Sequence, residues 1–324
     1  MTDPLAPDRA LEFAREAAAA GGSTARSRFR TGIAAREKAG ALDPVTEADL
    51  AAQAAALEAL SGAPVDAVVA EEAEADEGMP GETAADAGTA ADEEPSDGTA
   101  ADEGPAARDA DGRSPGSGLP RRDAVPDEGT AWVVDPIDGT TNYVRGSRVW
   151  ATAVAYVVDG EPVAAAVDLP AFGDRYAAGD GPVTRNGESV STADRSAPDE
   201  IVAAPVFGTS RRDRAAYREV VDSFLGGLGD LRHPGSGQAA LAMVAAGELD
   251  AACSSVRLAP WDTIAGAHLV RRAGGTVTTP DGERWRHDGA GLVATNGSSH
   301  GAVLDVLDDG DPDVAGDADG RAND

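Results

Sequence analysis

The residues most suited to chemistry lie at 132–143, which read Trp-Val-Val-Asp-Pro-Ile-Asp-Gly-Thr-Thr-Asn-Tyr. Asp135 and Asp138 are two carboxylates three positions apart at the expected end of a β-strand. Gly139 has no Cβ, so a ligand can approach the backbone closely there. Thr140 is suited to begin a helix, whose first N–H groups attract an anion. This stretch therefore offers hard oxygen ligands for a divalent cation beside donors for a phosphate group.

Other phosphate-handling motifs do not fit this spacing. An aspartyl-phosphate enzyme of the haloacid dehalogenase type needs a nucleophilic aspartate two residues before the second one, and Pro136 occupies that position. A P-loop needs a lysine after a glycine-rich loop, and the single lysine, Lys38, does not follow one. The structural alternative is an Asp-Pro turn followed by an Asp-Gly turn.

The chain is long and strongly acidic, which excludes several classes of partner. Its 324 residues carry 57 acids against 27 basic residues, a net charge of −30. Nucleic acid and an anionic membrane surface are therefore excluded as default partners. One cysteine, Cys253, excludes a disulfide framework, and no apolar run reaches the ~20 residues of a membrane span. We expect a cytoplasmic protein, and acidity with one lysine indicates salt adaptation or, alternatively, GC-rich codon bias.

Two acidic segments interrupt or follow the globular part. Residues 73–129 hold sixteen acids, four arginines and very few large apolar side chains, a composition that predicts a disordered insert. Residues 308–324 hold seven aspartates and one arginine, which predicts a disordered tail. The remaining 250 residues suit one enzyme domain spanning 1–307 around the insert.

The remaining residues alternate helix and strand signals, which predicts an α/β fold. We expect a first helix over 8–20 that ends at a Gly-Gly pair, and a capping box at 46–49 that opens a second helix. Buried strands are expected over 67–70 and 132–134, and a hairpin over 151–169. Asp262 is expected to cap a helix over 260–273. Cys253, His233 and His268 are expected to be structural or surface residues.

Four blocks of the sequence, the run at 135–142 and three others, together resemble the inositol monophosphatase family of magnesium-dependent sugar-phosphate phosphatases. Asp135 to Asn142 match its D-P-[IL]-D-G-T-x-N block, and 261–266 match its W-D-x-x-A-G block. Lys38 with 43–49 matches its K…D-x-V-T-x-x-D block, and 70–72 match G-E-E with alanine for glycine. The resemblance covers essentially all 250 residues. It implies a layered α/β/α/β/α sandwich and suggests a homodimer.

The resemblance also implies a role for each matched residue. The first Mg²⁺ would be held by Glu71, Asp135 and the carbonyl of Ile137. A second would be held by Asp135, Asp138 and Asp262, and a weaker third through water by Asp49 with Glu71. The implied catalytic residues are Glu71, Thr140 and Asp49, with Glu71 and Thr140 orienting a metal-activated water. The implied substrate-binding residues are Asp138, Gly139, Thr140, Gly235, Ser236, Gly237 and Asp262.

The implied activity is hydrolysis of a small phosphorylated sugar or cyclitol, inositol-1-phosphate or fructose-1,6-bisphosphate. On the substrate side, Gly237 and Gln238 replace two alanines of the family's G-[ST]-A-A turn, and no acid lies near Ser254, where the animal enzymes grip inositol. Two alternatives stay open. One is a phosphatase of 3′-phosphoadenosine 5′-phosphate, and the other is a non-catalytic paralogue that binds metal or phosphate.

Overall fold

The computed structural model describes residues 2–31, 35–37, 44–72, 118–207 and 211–309. The helices in these ranges are α1 (Pro7–Arg28), α2 (Glu47–Ala59), α3 (Thr140–Val144), α4 (Arg214–Gly227), α5 (Gly237–Ala245), α6 (Pro260–Arg272) and α7 (His300–Asp308). The strands are β1 (Ala35–Glu37), β2 (Pro44–Thr46), β3 (Ala67–Ala70), β4 (Thr130–Asp138), β5 (Ala151–Val158), β6 (Glu161–Leu169), β7 (Asp174–Ala178), β8 (Thr184–Arg185), β9 (Glu188–Ser189), β10 (Val202–Pro205), β11 (Asp230–Leu231), β12 (Ala251–Ser254), β13 (Thr276–Thr278) and β14 (Leu292–Thr295).

The strands form two main sheets and one short ribbon. The larger sheet has the order β3-β4-β5-β6-β7-β8-β9 and is antiparallel except for the pair β3-β4. The smaller sheet has the order β11-β10-β12-β14-β13, with β10 parallel to both of its neighbours. β1 and β2 pair antiparallel.

Helices cover both sheets in five layers, which confirms the predicted α/β/α/β/α sandwich. α1 and α2 pack on one face of the larger sheet, where they bury Trp132 and Tyr156. α5 and α6 fill the space between the sheets and contact Val133 from one side and Ala252 from the other. α4 and α7 cover the outer face of the smaller sheet, where Cys253 is a buried core residue as predicted. Alternation along the strands explains why Trp132 and Val133 face opposite layers.

The first helix is longer than the sequence predicted. α1 continues to Arg28, so the prediction that it ends at Gly21-Gly22 is wrong. A Cβ on Gly21 would lie 3.0 Å from Thr152, and one on Gly22 would lie 2.7 Å from Asp168. The two glycines therefore allow close packing of α1 against the larger sheet, and this packing offsets their poor helix propensity.

The end of the acidic segment belongs to the folded domain. Val125 is buried, and Arg122 N–H donates a 2.9 Å hydrogen bond to the carbonyl of Val68 in β3. The prediction of disorder over 73–129 is therefore wrong for 118–129, because Pro120 to Arg122 pair with the free edge of β3 at Val68. The rest of the insert, 73–117, and the tail from 310 onward lie outside the described residues. Within the described ranges, we find no helix long and apolar enough to cross a membrane.

Candidate active site

Three carboxylates from distant parts of the chain meet at one point. Each of Asp135, Asp138 and Asp262 offers an oxygen, and these oxygens lie within 4.8 Å of one another. Asp135 and Asp138 stand on the last residues of β4, and Asp262 stands in the first turn of α6. The strand runs on to Asp138 instead of ending at Asp135-Pro136 as predicted, because a bulge between the two aspartates lets β4 keep its pairing with β5.

Asp135 is the most buried of the three acids. It is 1% exposed, and no N–H or hydroxyl group among the described residues donates a hydrogen bond to either carboxylate oxygen. Burial raises the pKa of Asp135 well above its ordinary value, and the neighbouring charges of Glu71, Asp138 and Asp262 raise it further. A buried carboxylate without donors is unfavourable, and a bound cation satisfies it directly.

Asp138 lies against the start of α5. Its Oδ2 accepts a 2.7 Å hydrogen bond from Gln238 N–H and another from the Ser236 hydroxyl, while Oδ1 accepts from Gly237 N–H at 3.3 Å. Burial raises the pKa of Asp138, and the hydrogen bonds from Ser236, Gln238 and Gly237 oppose that rise. These donors fix the direction of the carboxylate, so it presents its remaining lone pairs to the acid cluster.

Glu71 lies beside Asp135 but outside the group of three. Its N–H donates a 3.2 Å hydrogen bond to the carbonyl of Val134, the residue before Asp135, and its charge raises the pKa of Asp135. The next residue, Glu72, is clamped through its backbone by the buried amide of Gln53. Gln53 Oε1 accepts from Glu72 N–H at 3.0 Å, and its Nε2 donates to Glu72 O at 2.8 Å. Arg121 donates a 2.6 Å hydrogen bond to the same carbonyl.

Asp49 and Thr140 form a second polar pair next to the cluster. Asp49 is in the predicted capping box of α2, with Oδ2 accepting a 2.9 Å hydrogen bond from Thr46 N–H. Its other oxygen, Oδ1, lies 3.4 Å from the Thr140 hydroxyl. That hydroxyl also lies 2.9 Å from the carbonyl oxygen of Ile137 and donates to it. Asp49 is fully buried, so its orientation is fixed.

The turn after Asp138 brings the predicted phosphate and substrate residues together. Gly139 has φ +86°, and a Cβ there would lie 2.9 Å from Gly235 O and 3.1 Å from Ser236 Cβ. Asn142 Nδ2 donates 2.8 Å hydrogen bonds to Val149 O and Pro234 O. The α3 turn therefore fits tightly against the 235–237 turn, which is possible only with glycine at 139.

Some predictions about single residues need correction or lie outside the described chain. Asp262 is not a helix cap, because α6 begins at Pro260 and Ala259 is the N-cap, with no side-chain cap. His233 is exposed. His268 is buried on α6, and burial lowers its pKa to about 4. Lys38 and Asp43 of the early block lie outside the described residues.

The sequence did not identify the two glutamines that support the site. Gln53 carries no motif, and Gln238 is noticeable only because it replaces an alanine of the resembled family. The signal for both is burial of an amide, 5% exposed for Gln53 and 0% for Gln238. A sequence alone does not report this.

The acid cluster fits a hard divalent cation. Every donor it offers is an oxygen, which is the ligand type that Mg²⁺ prefers. Both oxygens of Asp135 are buried without donors, so the cluster has coordination capacity that the protein itself does not use.

Comparison with known proteins agrees with this geometry. The profile of the inositol monophosphatase family matches residues 6–309. The chain belongs to the inositol monophosphatase family. Members of this family are magnesium-dependent phosphatases of small phosphorylated sugars. Within the family, this chain brings Asp135, Asp138 and Asp262 together at the positions of the two strongest motifs.

Several relatives in the family are about one-third identical to the chain over the residues that align. Inositol-1-monophosphatase ImpA of Mycolicibacterium smegmatis is 36% identical over 186 residues, which cover 56% of this chain and 67% of that protein. The fructose-1,6-bisphosphatase/inositol-1-monophosphatase of Aquifex aeolicus is 33% identical over 180 residues, 54% of this chain and 66% of its own length. The histidinol-phosphatase of Streptomyces coelicolor is 35% identical over 188 residues, which cover 54% of this chain and 68% of that protein.

A solved structure of the family shares the fold over nearly the whole chain. The inositol monophosphatase structure from Thermotoga maritima superposes with a TM-score of 0.68 at 22% identity, covering 94% of this chain and 96% of its own. At this identity the likeness supports the layered fold and nothing finer.

Proposed function

We propose that the chain is a Mg²⁺-dependent phosphomonoesterase that hydrolyses a sugar or cyclitol phosphate, with the acid cluster as its catalytic centre. The observation that carries the proposal is the convergence of Asp135, Asp138 and Asp262 within 4.8 Å, with both oxygens of Asp135 buried and without donors. Three carboxylates this close repel one another strongly unless a cation lies among them.

In this proposal the acids would hold two Mg²⁺ ions and a weaker third. Asp135, Glu71 and the carbonyl of Ile137 would hold the first, and Asp135, Asp138 and Asp262 would hold the second. Asp49 with Glu71 would hold the third through water. When bound, Mg²⁺ lowers the pKa of a water and neutralises phosphate charge, so the reaction needs no histidine.

The Ile137 carbonyl can serve in this set while it remains bonded to Thr140. It accepts one hydrogen bond from the Thr140 hydroxyl at 2.9 Å, and a carbonyl oxygen has two lone pairs. The second lone pair is available to a cation.

Asp49, Thr140 and Glu71 position the attacking water in this proposal. The Thr140 hydroxyl has one proton and two acceptors within reach, Ile137 O and Asp49 Oδ1. Because its proton is directed to these acceptors, its own lone pairs face away from them and can accept a hydrogen bond from water. Glu71, whose charge acts on Asp135, would supply a carboxylate to orient the same water.

The substrate binds on the side of the two glycine turns. Gly139 and Thr140 N–H groups bind phosphate oxygens, and Gly235, Ser236 and Gly237 contact the sugar next to Asp138. The tight contact between the two turns supports this arrangement, because it places the sugar-side turn directly beside the phosphate-side turn. Asp262, at the start of α6, completes the proposed substrate-binding set.

A substrate panel tests the proposal. Purified protein is incubated with inositol-1-phosphate, fructose-1,6-bisphosphate, histidinol phosphate and 3′-phosphoadenosine 5′-phosphate, with millimolar Mg²⁺ or with EDTA, at about 0.1 M and at molar salt, and phosphate release is measured. We expect release from a sugar or cyclitol phosphate only with Mg²⁺. Preference for the adenosine substrate would favour that alternative. No release from any substrate, with Mg²⁺ still bound, would favour a non-catalytic paralogue.

A further inference from the structure

Gln238 connects the two parts of the chain that carry Asp138 and Asp262. It is the second residue of α5 and is completely buried. Its backbone N–H donates a 2.7 Å hydrogen bond to Asp138 Oδ2. Its side-chain Nε2 donates to Trp261 O at 2.5 Å, and its Oε1 accepts from Gly266 N–H at 2.8 Å. One residue thus touches the Asp138 carboxylate and the backbone on both sides of Asp262.

The two side-chain hydrogen bonds define one orientation of the amide. Reversing it would place Nε2 against the Gly266 N–H and Oε1 against the Trp261 carbonyl, and both contacts would be repulsive. The two hydrogen bonds therefore fix the orientation of the amide. They also fix the distance between the first turn of α5 and the first turns of α6.

Helices α5 and α6 approach each other closely beside Gln238. A Cβ on Gly237 would lie 3.2 Å from Asp262 O, and a Cβ on Gly266 would lie 2.4 Å from Leu241 Cβ and 2.9 Å from Gln238 Oε1. Interiors packed this closely do not adjust to a change of side-chain volume without losing contacts. The helix pair is a rigid support.

We propose that Gln238 is a positioning residue that holds Asp138 and Asp262 at cation-binding separation before any cation is present. The inference rests on the proposed function, because it assigns both acids to a bound Mg²⁺. Two like charges so close together push their supporting elements apart. The amide bridge resists that force, so less of the cation's binding free energy is spent on bringing the acids together.

The test is Mg²⁺ binding by isothermal titration calorimetry to the full-length wild type and to Gln238→Met, which keeps the volume and removes both side-chain hydrogen bonds. We expect the Met variant to bind Mg²⁺ about tenfold or more weakly, the size typical of residues that support metal ligands. Turnover should show a raised Mg²⁺ concentration for half-activity, with kcat at saturating Mg²⁺ within a few-fold of wild type. If Gln238 only stabilised the fold, its replacement would not raise the Mg²⁺ concentration for half-activity while leaving kcat at saturating Mg²⁺ nearly unchanged.

Two further variants make the result decisive. Gln238→Glu, whose protonated carboxyl can donate to Trp261 O and accept from Gly266 N–H, should bind Mg²⁺ more tightly than the Met variant, and it serves if the Met variant does not fold. Val244→Ala, a buried change on the same helix, should lower the melting temperature without changing Mg²⁺ affinity. If both Gln238 variants bound Mg²⁺ with wild-type affinity, the positioning role of Gln238 would be overturned and the proposed function would stand. Absence of Mg²⁺ binding in the wild type would overturn it together with the proposed function.

Discussion

Thr140 and Asp49, ninety-one positions apart in the sequence, meet with the threonine hydroxyl 3.4 Å from Asp49 Oδ1. Asp49 is fixed by the capping box of α2, and Thr140 is fixed at the first position of α3. The pair joins the α2 layer to the end of β4. A residue that caps one helix therefore also orients a hydroxyl beside the acid cluster.

We first predict that Thr140→Val lowers kcat by about 10²–10⁴-fold, the range for loss of a positioned proton-handling group. Valine has nearly the same shape, so Mg²⁺ affinity should change little. Thr140→Ser, which retains the hydroxyl, should recover most of the activity. Phosphate release under saturating Mg²⁺ measures both variants, and near-normal turnover of the valine variant would remove Thr140 from the reaction.

Asp138→Asn should abolish hydrolysis and weaken Mg²⁺ binding by at least about 100-fold, because the variant lacks the charge that the cation neutralises. The amide oxygen can still accept a hydrogen bond from Gln238 N–H, so the far-UV circular dichroism spectrum should not change. The matched control is Asp222→Asn, an exposed acid on α4. Calorimetric titration measures the Mg²⁺ affinity of both variants. Normal binding by the Asp138→Asn variant would contradict the assignment of Asp138 to the second ion.

Without Mg²⁺, the buried acids should make the protein less stable as the pH rises, whereas buried His268, whose pKa is lowered to about 4, acts in the opposite direction below pH 6.5. The folded pKa of Asp135 and of Asp138 is raised above the ordinary 3.8, and that of Asp168 is raised to about 6, in each case mainly by burial. At these three acids the folded state therefore binds more protons than the unfolded state above pH 4, and their contribution to stability falls as the pH rises through the raised values. Each unit of raised pKa corresponds to about 1.4 kcal/mol.

Urea unfolding in EDTA between pH 5 and 8 measures this loss, and Mg²⁺ should reverse the part that comes from the acid cluster. In EDTA at pH 8, Asp135→Asn should be at least about 1 kcal/mol more stable than wild type. Asp168→Asn should flatten the curve between pH 5 and 6, with or without Mg²⁺. If the stability advantage of Asp135→Asn over wild type in EDTA did not grow between pH 5 and 8, the acids would not be repelling one another.

Replacing residues 77–116 by a short Gly-Ser linker should leave Mg²⁺-dependent activity within about threefold of wild type. The reason is that Glu72 is held by Gln53 on one side and by Arg121 on the other, so the site does not depend on the segment between them. The linker must spare Leu119 and Arg121, which pack at β3. Extending the replacement to Asp123 removes the Arg121 contact, and this longer deletion should lose activity.

The excess of acids in the insert suggests that it keeps the protein soluble at high salt, and the same pair of deletions tests this role. Solubility in molar salt should fall in the shorter deletion while activity per folded molecule is retained. Equal solubility of the deletion and the wild type would count against that role.

Short-range signals in the sequence were sufficient for much of the fold and for the strongest motifs. The capping box at Thr46 and Asp49, the turn at Asp159-Gly160 and the buried strand β3 follow from local chemistry, and the structure confirms them. The run from Asp135 to Gly139 predicted two acids together at the end of a strand, because carboxylates three positions apart at a strand end stay close whatever surrounds them.

The tertiary structure decided what local chemistry could not. Gly21 and Gly22 were predicted to end α1, but the close contact with the larger sheet makes them interior helix residues. Asp262 joins Asp135 and Asp138 only because α6 packs on α5, and Gln238 became a buried bridge only in that packing. Propensity and motif spacing act over a few residues, whereas the separation of helices depends on side chains from remote parts of the chain filling one space.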